Sequence, residues 1–199
     1  ILNMAVLQIL KMGHPFLRKK AAKVTDFINL KNIFTDMQDT LEFVGGSGLA
    51  ANQVMINKRI ILYRIRKDRI PEGANFNAKS WTFMINPVMK PLSKEKELYW
   101  ERCLSIPGLH GKVPRYKSII VQYYTTNKKL IEFKAESTWA ALLQHEFDHL
   151  DGILYPMRMR DLSKLGFNDY PGEIEKDMKK NKKYIDPLFL NLVKRWKKK

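Results

Sequence analysis

The sequence predicts an α+β fold on three observations. An amphipathic helix comes first, strand-like segments occur between residues 59 and 133, and a mostly apolar helix follows near residue 140. A chain of 199 residues fits one domain and can bury its own core. The single cysteine, Cys103, excludes an internal disulfide, and no stretch approaches the roughly 20 apolar residues of a membrane span. We therefore expect a soluble protein of a reducing compartment that does not engage a membrane.

The first predicted element is an amphipathic helix over residues 26–44. Apolar side chains recur there at nearly helical spacing, and Gly45 and Gly46 end the pattern. A surface loop is predicted at residues 66–79, which contain Pro71, Gly73 and several polar side chains. Segments rich in β-branched and aromatic residues predict four strands, at residues 59–65, 81–85, 118–124 and 130–133.

A second helix is predicted to carry the most informative motif in the chain. Ser137 or Thr138 is a suitable N-cap for this helix, and Gly152 is a natural end. Its apolar residues are spread widely enough around the helix to indicate a central, buried position. The stretch Q-H-E-F-D-H-L-D-G occupies residues 144–152 of this predicted helix.

That stretch has the H-E-x-x-H pattern of a metal site. On a helix, His145 and His149 project from the same face one turn apart, and Glu146 lies about 100° round the axis. The pattern predicts two metal ligands with a glutamate close enough to act on a water molecule. Because the pattern also arises by chance, the alternative is a pair of half-buried histidines beside a solvated glutamate.

A hydrolytic metal site needs a third protein ligand. His14 and His110 are candidates, the latter in a segment predicted to be a glycine-flanked loop. A downstream glutamate could also be the third ligand, but it would have to come from the polar, lysine-rich stretch after residue 169. That stretch is a poor candidate for a metal-binding segment. Cys103 stands in W-E-R-C-L-S-I-P-G, where a strand-like segment is expected to end at Pro107 and Gly108. A lone cysteine is usually an inert buried residue, but beside an H-E-x-x-H helix a thiolate ligand is the better interpretation.

Three segments, in order, resemble the hallmark motifs of the peptide deformylase family. They are G-S-G-L-A-A-N-Q at residues 46–53, E-R-C-L-S at 101–105 and Q-H-E-F-D-H-L at 144–150. Looser similarity extends over roughly residues 5 to 160. The resemblance implies antiparallel sheets packed around the central H-E-x-x-H helix, with a further helix at the C-terminus. It also implies a hydrolase that removes the formyl group from the N-terminal formylmethionine of new polypeptides and releases formate.

The resemblance also implies a role for each matching residue. Cys103, His145 and His149 would bind one divalent metal ion, which is commonly Fe(II) in the cell, although zinc, nickel or cobalt can occupy such sites. Glu146 would be the general acid and base. The oxyanion donors would be the Gln53 side chain, which is otherwise an ordinary loop amide, and the backbone amide of Leu104.

Substrate-binding residues are predicted around these motifs. Gly46, Ser47 and Gly48 would let a peptide backbone lie alongside the chain, or would simply form a turn after the first helix. An apolar pocket for methionine is expected from Tyr99, Ala141 and Leu142. Arg102 stands where the family usually has glycine, so it raises a question about the local backbone and the substrate groove. His110 would face that groove, unless it is a plain loop histidine.

One pair is predicted to support the metal ligands from behind. Asp148 lies inside the helix motif, and Arg115 belongs to the V-P-R segment at residues 113–115. An ion pair between them would brace the ligand helix. The alternative is a surface ion pair that contributes little to the stability of the fold.

The chain is strongly basic, with a net charge of +16. Residues 173–199 hold ten basic and four acidic residues, so we divide the chain into a catalytic domain at 1–172 and a basic, helical tail at 173–199. Residues 187–196 predict a short amphipathic helix that either packs on the domain or docks on ribosomal RNA. A metallopeptidase and a non-catalytic RNA-binding protein are the competing classes. A bacterial cytoplasm or an organellar matrix or stroma is the expected location.

Overall fold

The computed structural model describes residues 5–181 and 185–198. Lys182, Lys183 and Lys199, which were counted in the basic tail, lie outside these residues. The helices are α1 (Leu30–Val44), α2 (Ser137–Leu150), α3 (Gly172–Lys180) and α4 (Pro187–Trp196). The strands are β1 (Gly48–Ala50), β2 (Ile60–Ile65), β3 (Lys79–Pro91), β4 (Lys96–Cys103), β5 (Ile106–Tyr116), β6 (Ser118–Tyr124), β7 (Leu130–Glu136) and β8 (Gly166–Phe167). Among the described helices, none has the length and apolar character needed to cross a membrane.

Two antiparallel sheets surround α2, as predicted. The larger sheet has the strand order β1-β2-β3-β6-β7, and the smaller has the order β4-β5-β8. The predicted α+β fold class is confirmed, and the predicted C-terminal helix has the bounds Pro187–Trp196.

The larger sheet is covered on both faces, which explains why β2 is almost entirely apolar. Ile61 and Tyr63 face the core that contains α2, whereas Ile60 and Leu62 face the core that contains α1. This alternation follows from the two-residue period of a strand. Each fully buried Leu or Ile contributes about 1.5–3 kcal/mol through the hydrophobic effect. The larger sheet therefore packs against α1 on one face and α2 on the other.

Both predicted helix starts differ from the structure. The helix expected from residue 26 begins at Leu30, because the Asp26 side chain accepts a hydrogen bond from the Ile28 amide in a turn and Asn29 has a left-handed backbone. At α2, neither Ser137 nor Thr138 is the N-cap. The helix follows directly from β7, Glu136 occupies the cap position, and no side chain caps the helix. The predicted end of α1 at Gly45 is confirmed.

The smaller sheet was largely missed from sequence. The segment expected to end at Pro107 and Gly108 is in fact two strands, since β4 ends at Cys103 and β5 runs through both residues. Two prolines and two glycines weaken the strand signal of β5. Strand β8 pairs with β5 only at Leu109 and His110, so neither proline lies in the part of β5 that pairs with β8.

Candidate metal centre and substrate cavity

The two histidines of α2 and the cysteine at the end of β4 meet in the interior. His145 and His149 lie one turn apart, and their Nε2 atoms are 3.2 Å from each other. The Cys103 Sγ atom is 3.2 Å from Nε2 of His149, and the ligand atoms of all three residues lie within 4.8 Å of one another. All three side chains are buried. The structure therefore brings together the residues that were predicted as metal ligands.

The chemistry of this donor set fits a divalent metal ion. Two imidazole nitrogens and a thiolate suit zinc or iron, and three protein ligands are typical of a catalytic rather than a structural site. The Nδ1 atom of His145 is 2.7 Å from Oε2 of Glu101, which directs the other ring nitrogen towards Cys103. Glu101 was not predicted to have a role, although it belongs to the E-R-C-L-S motif.

The charges around Cys103 favour its ionised form. Burial raises the pKa of the thiol, but the charge of His149 and hydrogen bonds from both histidines outweigh burial and hold the pKa well below its usual range. Burial lowers the pKa of His145, but its contacts with Cys103 and Glu101 raise that pKa well above its usual value. The cluster thus attracts positive charge, and a metal cation would replace the imidazolium proton.

A buried charge network lies behind the ligands. Arg115 donates to Glu101 through Nε and Nη2, at 2.7 and 2.9 Å, and to Asp148 through Nη1, at 2.5 Å. Burial raises the pKa of Glu101, but the Arg115 guanidinium outweighs burial and lowers that pKa to about 2. Arg158 also donates to Asp148, at 2.8 Å. Asp148 and Arg115 are therefore in contact in the interior, and Glu101 links them to His145.

Glu146 lies beside the three candidate metal ligands and is buried. Burial is the main cause that raises its pKa to about 7. Its Oε2 atom is buried and has no hydrogen-bond partner among the described residues. A Cβ atom at Gly48 would lie 2.3 Å from Oε1 of Glu146, so the carboxylate needs a glycine there. An unpartnered carboxylate that titrates near neutrality is suited to accept and return a proton.

Gln53 faces the cluster from a 3₁₀ turn that follows β1. Its Oε1 accepts a hydrogen bond from the Ala50 amide at 2.9 Å, which fixes the amide orientation. Its Nε2 then points towards Ser105 Oγ at 3.1 Å and Cys103 Sγ at 3.8 Å. Leu104 follows the cysteine directly, and its carbonyl accepts a hydrogen bond from Lys11 Nζ at 2.9 Å. A donor amide therefore lies at the metal ligands without an added charge.

A cavity of about 310 Å³ opens onto Cys103, His145 and Glu146. It is lined by the predicted substrate-binding residues Gly46, Ser47, Gly48, Tyr99, Arg102, Ala141 and Leu142, and by Gln53 and Leu104. The C-terminal residues Asp186, Leu188 and Phe189 also line the cavity, as does Arg69. This participation of the C-terminal segment was not predicted, because no motif marks it.

His110 is the exception among the predicted substrate-binding residues. It lies on strand β5 rather than in a loop, and it does not line the cavity described above. Its ring packs edge-on against Trp100 at 5.5 Å, and its Nδ1 atom is 3.3 Å from Asn168 Oδ1. The prediction that His110 lies in a loop and faces the substrate groove is therefore wrong. Flanking glycines occur in strands as well as in loops, so they did not identify a loop here.

Arg102 fits into β4 without a left-handed backbone. It occupies a point where the register of β4 and β5 shifts, between Glu101 and Cys103, and it is not among the described residues with positive φ. The arginine therefore does not distort the loop that presents the ligand. Compared with a glycine at this position, its exposed side chain adds a charged group to the cavity lining.

The fold and this site together define a metal-dependent hydrolase with an α+β architecture. The family model for polypeptide deformylase matches residues 6–165. Peptide deformylase 1 of Nitrosomonas europaea is 39% identical over 169 residues, which cover 83% of this chain and 95% of that protein. Peptide deformylase 1 of Bordetella pertussis is 43% identical over 164 residues, which cover 81% and 92% of the two proteins.

A solved structure agrees with these sequence relatives. The class I type b peptide deformylase of Acinetobacter baumannii has a TM-score of 0.70 and 34% identity, over 77% of this chain and 99% of that one. The chain belongs to the polypeptide deformylase family. It is a metal-dependent amide hydrolase that removes the N-formyl group from the formylmethionine of newly synthesised polypeptides and releases formate.

Proposed function

We propose that Cys103, His145 and His149 hold one divalent metal ion and that Glu146 carries the acid–base chemistry of deformylation. The supporting observation is the convergence of three buried donor atoms within 4.8 Å at the end of a cavity that also contains Glu146. When bound, the metal would polarise the formyl group and lower the pKa of water from 15.7 to about 7. Fe(II) is the cellular metal that the family resemblance implies, and the same donors also suit zinc, nickel or cobalt.

Glu146 would accept a proton from the attacking water and later deliver it to the leaving nitrogen. A pKa of about 7, raised chiefly by burial, leaves both protonation states accessible at neutral pH. General acid–base catalysis of this kind typically contributes about 10²- to 10⁴-fold to the rate. Gly48 would position the carboxylate, because the absence of a Cβ atom gives Oε1 its space.

Gln53 and the backbone amide of Leu104 would stabilise the oxyanion of the tetrahedral intermediate. The bond from the Ala50 amide to Gln53 Oε1 supports this role, because it leaves Nε2 directed towards the ligand cysteine. Such preorganised donors need no rearrangement as charge develops, and the loss of one typically costs about 2.7–4 kcal/mol of transition-state stabilisation.

The substrate would enter with its backbone along Gly46, Ser47 and Gly48. Tyr99, Ala141 and Leu142 would contact the methionine side chain, and all of these residues line the same cavity. A formyl carbon carries only hydrogen, so a close fit around it would exclude the methyl group of an acetylated peptide. Arg115 and Asp148 would hold His145 and α2 in place through Glu101.

The exposed face of the C-terminal segment would also serve as a docking element. We divide the chain at residue 172 into a catalytic domain and a basic segment at 173–199, and we propose that the exposed basic residues of α4 contact ribosomal RNA. Lys194 and Arg195 are exposed, whereas Phe189, Leu192 and Val193 are buried against the body of the protein. The proposed location is a bacterial cytoplasm or an organellar matrix or stroma, where translation starts with formylmethionine.

Formate release from anaerobically purified enzyme tests the proposed chemistry. A short formyl-Met peptide should release formate, the matched acetyl-Met peptide should not, and Glu146→Ala should lose at least about 100-fold of the rate while keeping its metal. Equal hydrolysis of both peptides, or an active Glu146→Ala variant, would contradict the assigned roles. Ribosome co-sedimentation at low salt, with and without residues 187–199, tests the docking proposal separately; sedimentation that is independent of these residues would remove it.

A further inference from the structure

One part of the wall of the substrate cavity comes from the C-terminal part of the chain. Asp186, Leu188 and Phe189 line the same cavity as Cys103 and Glu146. This wall lies beyond residue 165, where the match to the family ends. The segment therefore adds surface to the cavity that the matched residues do not supply.

The wall is firmly attached to the catalytic body. Trp100, on β4, packs in a cluster with Phe189 and other apolar residues of the segment, and its Nε1 donates to Asp177 at 2.9 Å. Arg69 donates to both carboxylate oxygens of Asp186. Its Nε atom is 2.9 Å from Oδ1, and its Nη2 atom is 2.9 Å from Oδ2. Asp186 also caps α4 by accepting from the Leu188 amide at 2.8 Å. One aspartate thus fixes both the start of the helix and its distance from Arg69.

Leu188 differs from its neighbours on the same helix. Phe189 is buried in the cluster with Trp100, and Leu190 packs partly against that cluster. Leu188 is half-buried, lines the cavity and is not part of the cluster. Its side chain is therefore available to a ligand in the cavity, whereas Leu190 serves the fold.

The cavity lining includes an exposed arginine, Arg102. Arg69 and Asp186 line the same cavity, but the Asp186 carboxylate is already bound by Arg69. Arg102 makes no hydrogen bond or ion pair within residues 5–181 and 185–198. An acidic side chain of a ligand at this point would therefore find an ion-pair partner in Arg102.

We propose that the C-terminal segment and Arg102 form a subsite for the residues that follow formylmethionine, and that this subsite favours an acidic side chain. Leu188 supplies the apolar contact, and Arg102 supplies the charge that discriminates among peptides. The inference rests on the proposed function and adds a substrate preference to it. Charge pairs at a solvent-accessible mouth give modest selectivity, so we expect an acidic residue to be favoured about threefold to tenfold.

Matched peptides test the charge preference. The holoenzyme is assayed with C-terminally amidated formyl-Met-Xaa-Ala-Ser and formyl-Met-Ala-Xaa-Ser, where Xaa is Glu or Gln. We expect kcat/KM to be higher for Glu than for Gln in at least one pair. Arg102→Gln should bring that ratio close to one, whereas Arg160→Gln, which removes an exposed charge outside the cavity, should keep it.

A ratio near one in the parent enzyme, or a preference that persists in Arg102→Gln, would overturn the inference while leaving deformylation intact. Absence of formate from every peptide would instead overturn the proposed function, and the inference with it.

Two variants of α4 test the apolar part of the subsite. Leu188→Ala should raise KM for these peptides several-fold and affect KM more than kcat, because it removes a contact made by bound substrate. Leu190→Ala removes a leucine of the same helix that faces the Trp100 cluster, and its KM should remain that of the parent. Equal KM values in both variants would contradict a substrate contact at Leu188.

Discussion

The metal centre and the C-terminal segment border the same cavity but are stabilised by different forces. Around the proposed metal ligands, buried charges meet at short distances, as in the bonds from Arg115 to Glu101 and Asp148. The C-terminal segment is held mainly by an apolar cluster around Trp100, with ion pairs such as Arg69–Asp186 at its margin. The stability of the first arrangement depends on the orientation of its charged groups, and that of the second depends on the apolar area that it buries. The metal centre should therefore be far more sensitive to small changes in shape.

The largest effect on stability is expected from removal of the central guanidinium. Arg115→Ala leaves the carboxylates of Glu101 and Asp148 buried without their main partner, which typically costs about 3–5 kcal/mol. The free energy of unfolding, measured with denaturant on the metal-loaded protein, checks this value. The variant should also retain metal about 10- to 100-fold less tightly, because His145 loses its orientation. Unchanged stability and metal retention would show that the network is dispensable.

A single methyl group tests the shape sensitivity of the metal centre. In Gly48→Ala the new Cβ atom would lie 2.3 Å from Glu146 Oε1, so the carboxylate must move. We expect kcat to fall about 100-fold, the scale typical of a displacement near 1 Å. Gly172→Ala is the matched control, because its Cβ atom would meet only the Trp196 ring at 3.7 Å. Full activity in Gly48→Ala would mean that the position of Glu146 is not critical.

The smallest effect should come from equal truncations in the two apolar cores. Ile174, on α3, and Ile61, on β2, are both fully buried, and Ile→Val at such sites typically costs about 0.5–1.5 kcal/mol. If the C-terminal segment unfolds together with the catalytic body, both variants should lower the melting temperature by similar amounts. A shift for Ile61→Val alone would show that the C-terminal segment unfolds independently of the catalytic body.

The catalytic helix could be predicted from sequence because its information is local. The four-residue spacing of His145 and His149 fixes their common face, and the apolar residues around them indicate burial. The third ligand could be proposed because the chain has a single cysteine. By contrast, the link from Glu101 to His145 joins residues that are 44 positions apart, and only the folded register of β4 reveals it.

The cavity wall and the smaller sheet could not be predicted for related reasons. Phe189 and Leu188 are ordinary members of an amphipathic helix, and their positions against Trp100 or in the cavity depend on how that helix docks. The amphipathic pattern of α4 was recognised, but its place in the fold was not. His110 was misplaced because glycines and prolines in β5 suggested a loop, although partial pairing on one side allows them in a strand.

The most direct test of the assigned metal ligands is the metal content of Cys103→Ala. Elemental analysis of anaerobically purified protein should find about one divalent metal ion per chain in the parent enzyme and a large loss in the variant, because two histidines alone bind weakly. Circular dichroism of the same samples checks that the variant is folded. A folded Cys103→Ala protein that keeps one metal ion per chain would contradict the assignment of Cys103, His145 and His149 as the ligand set.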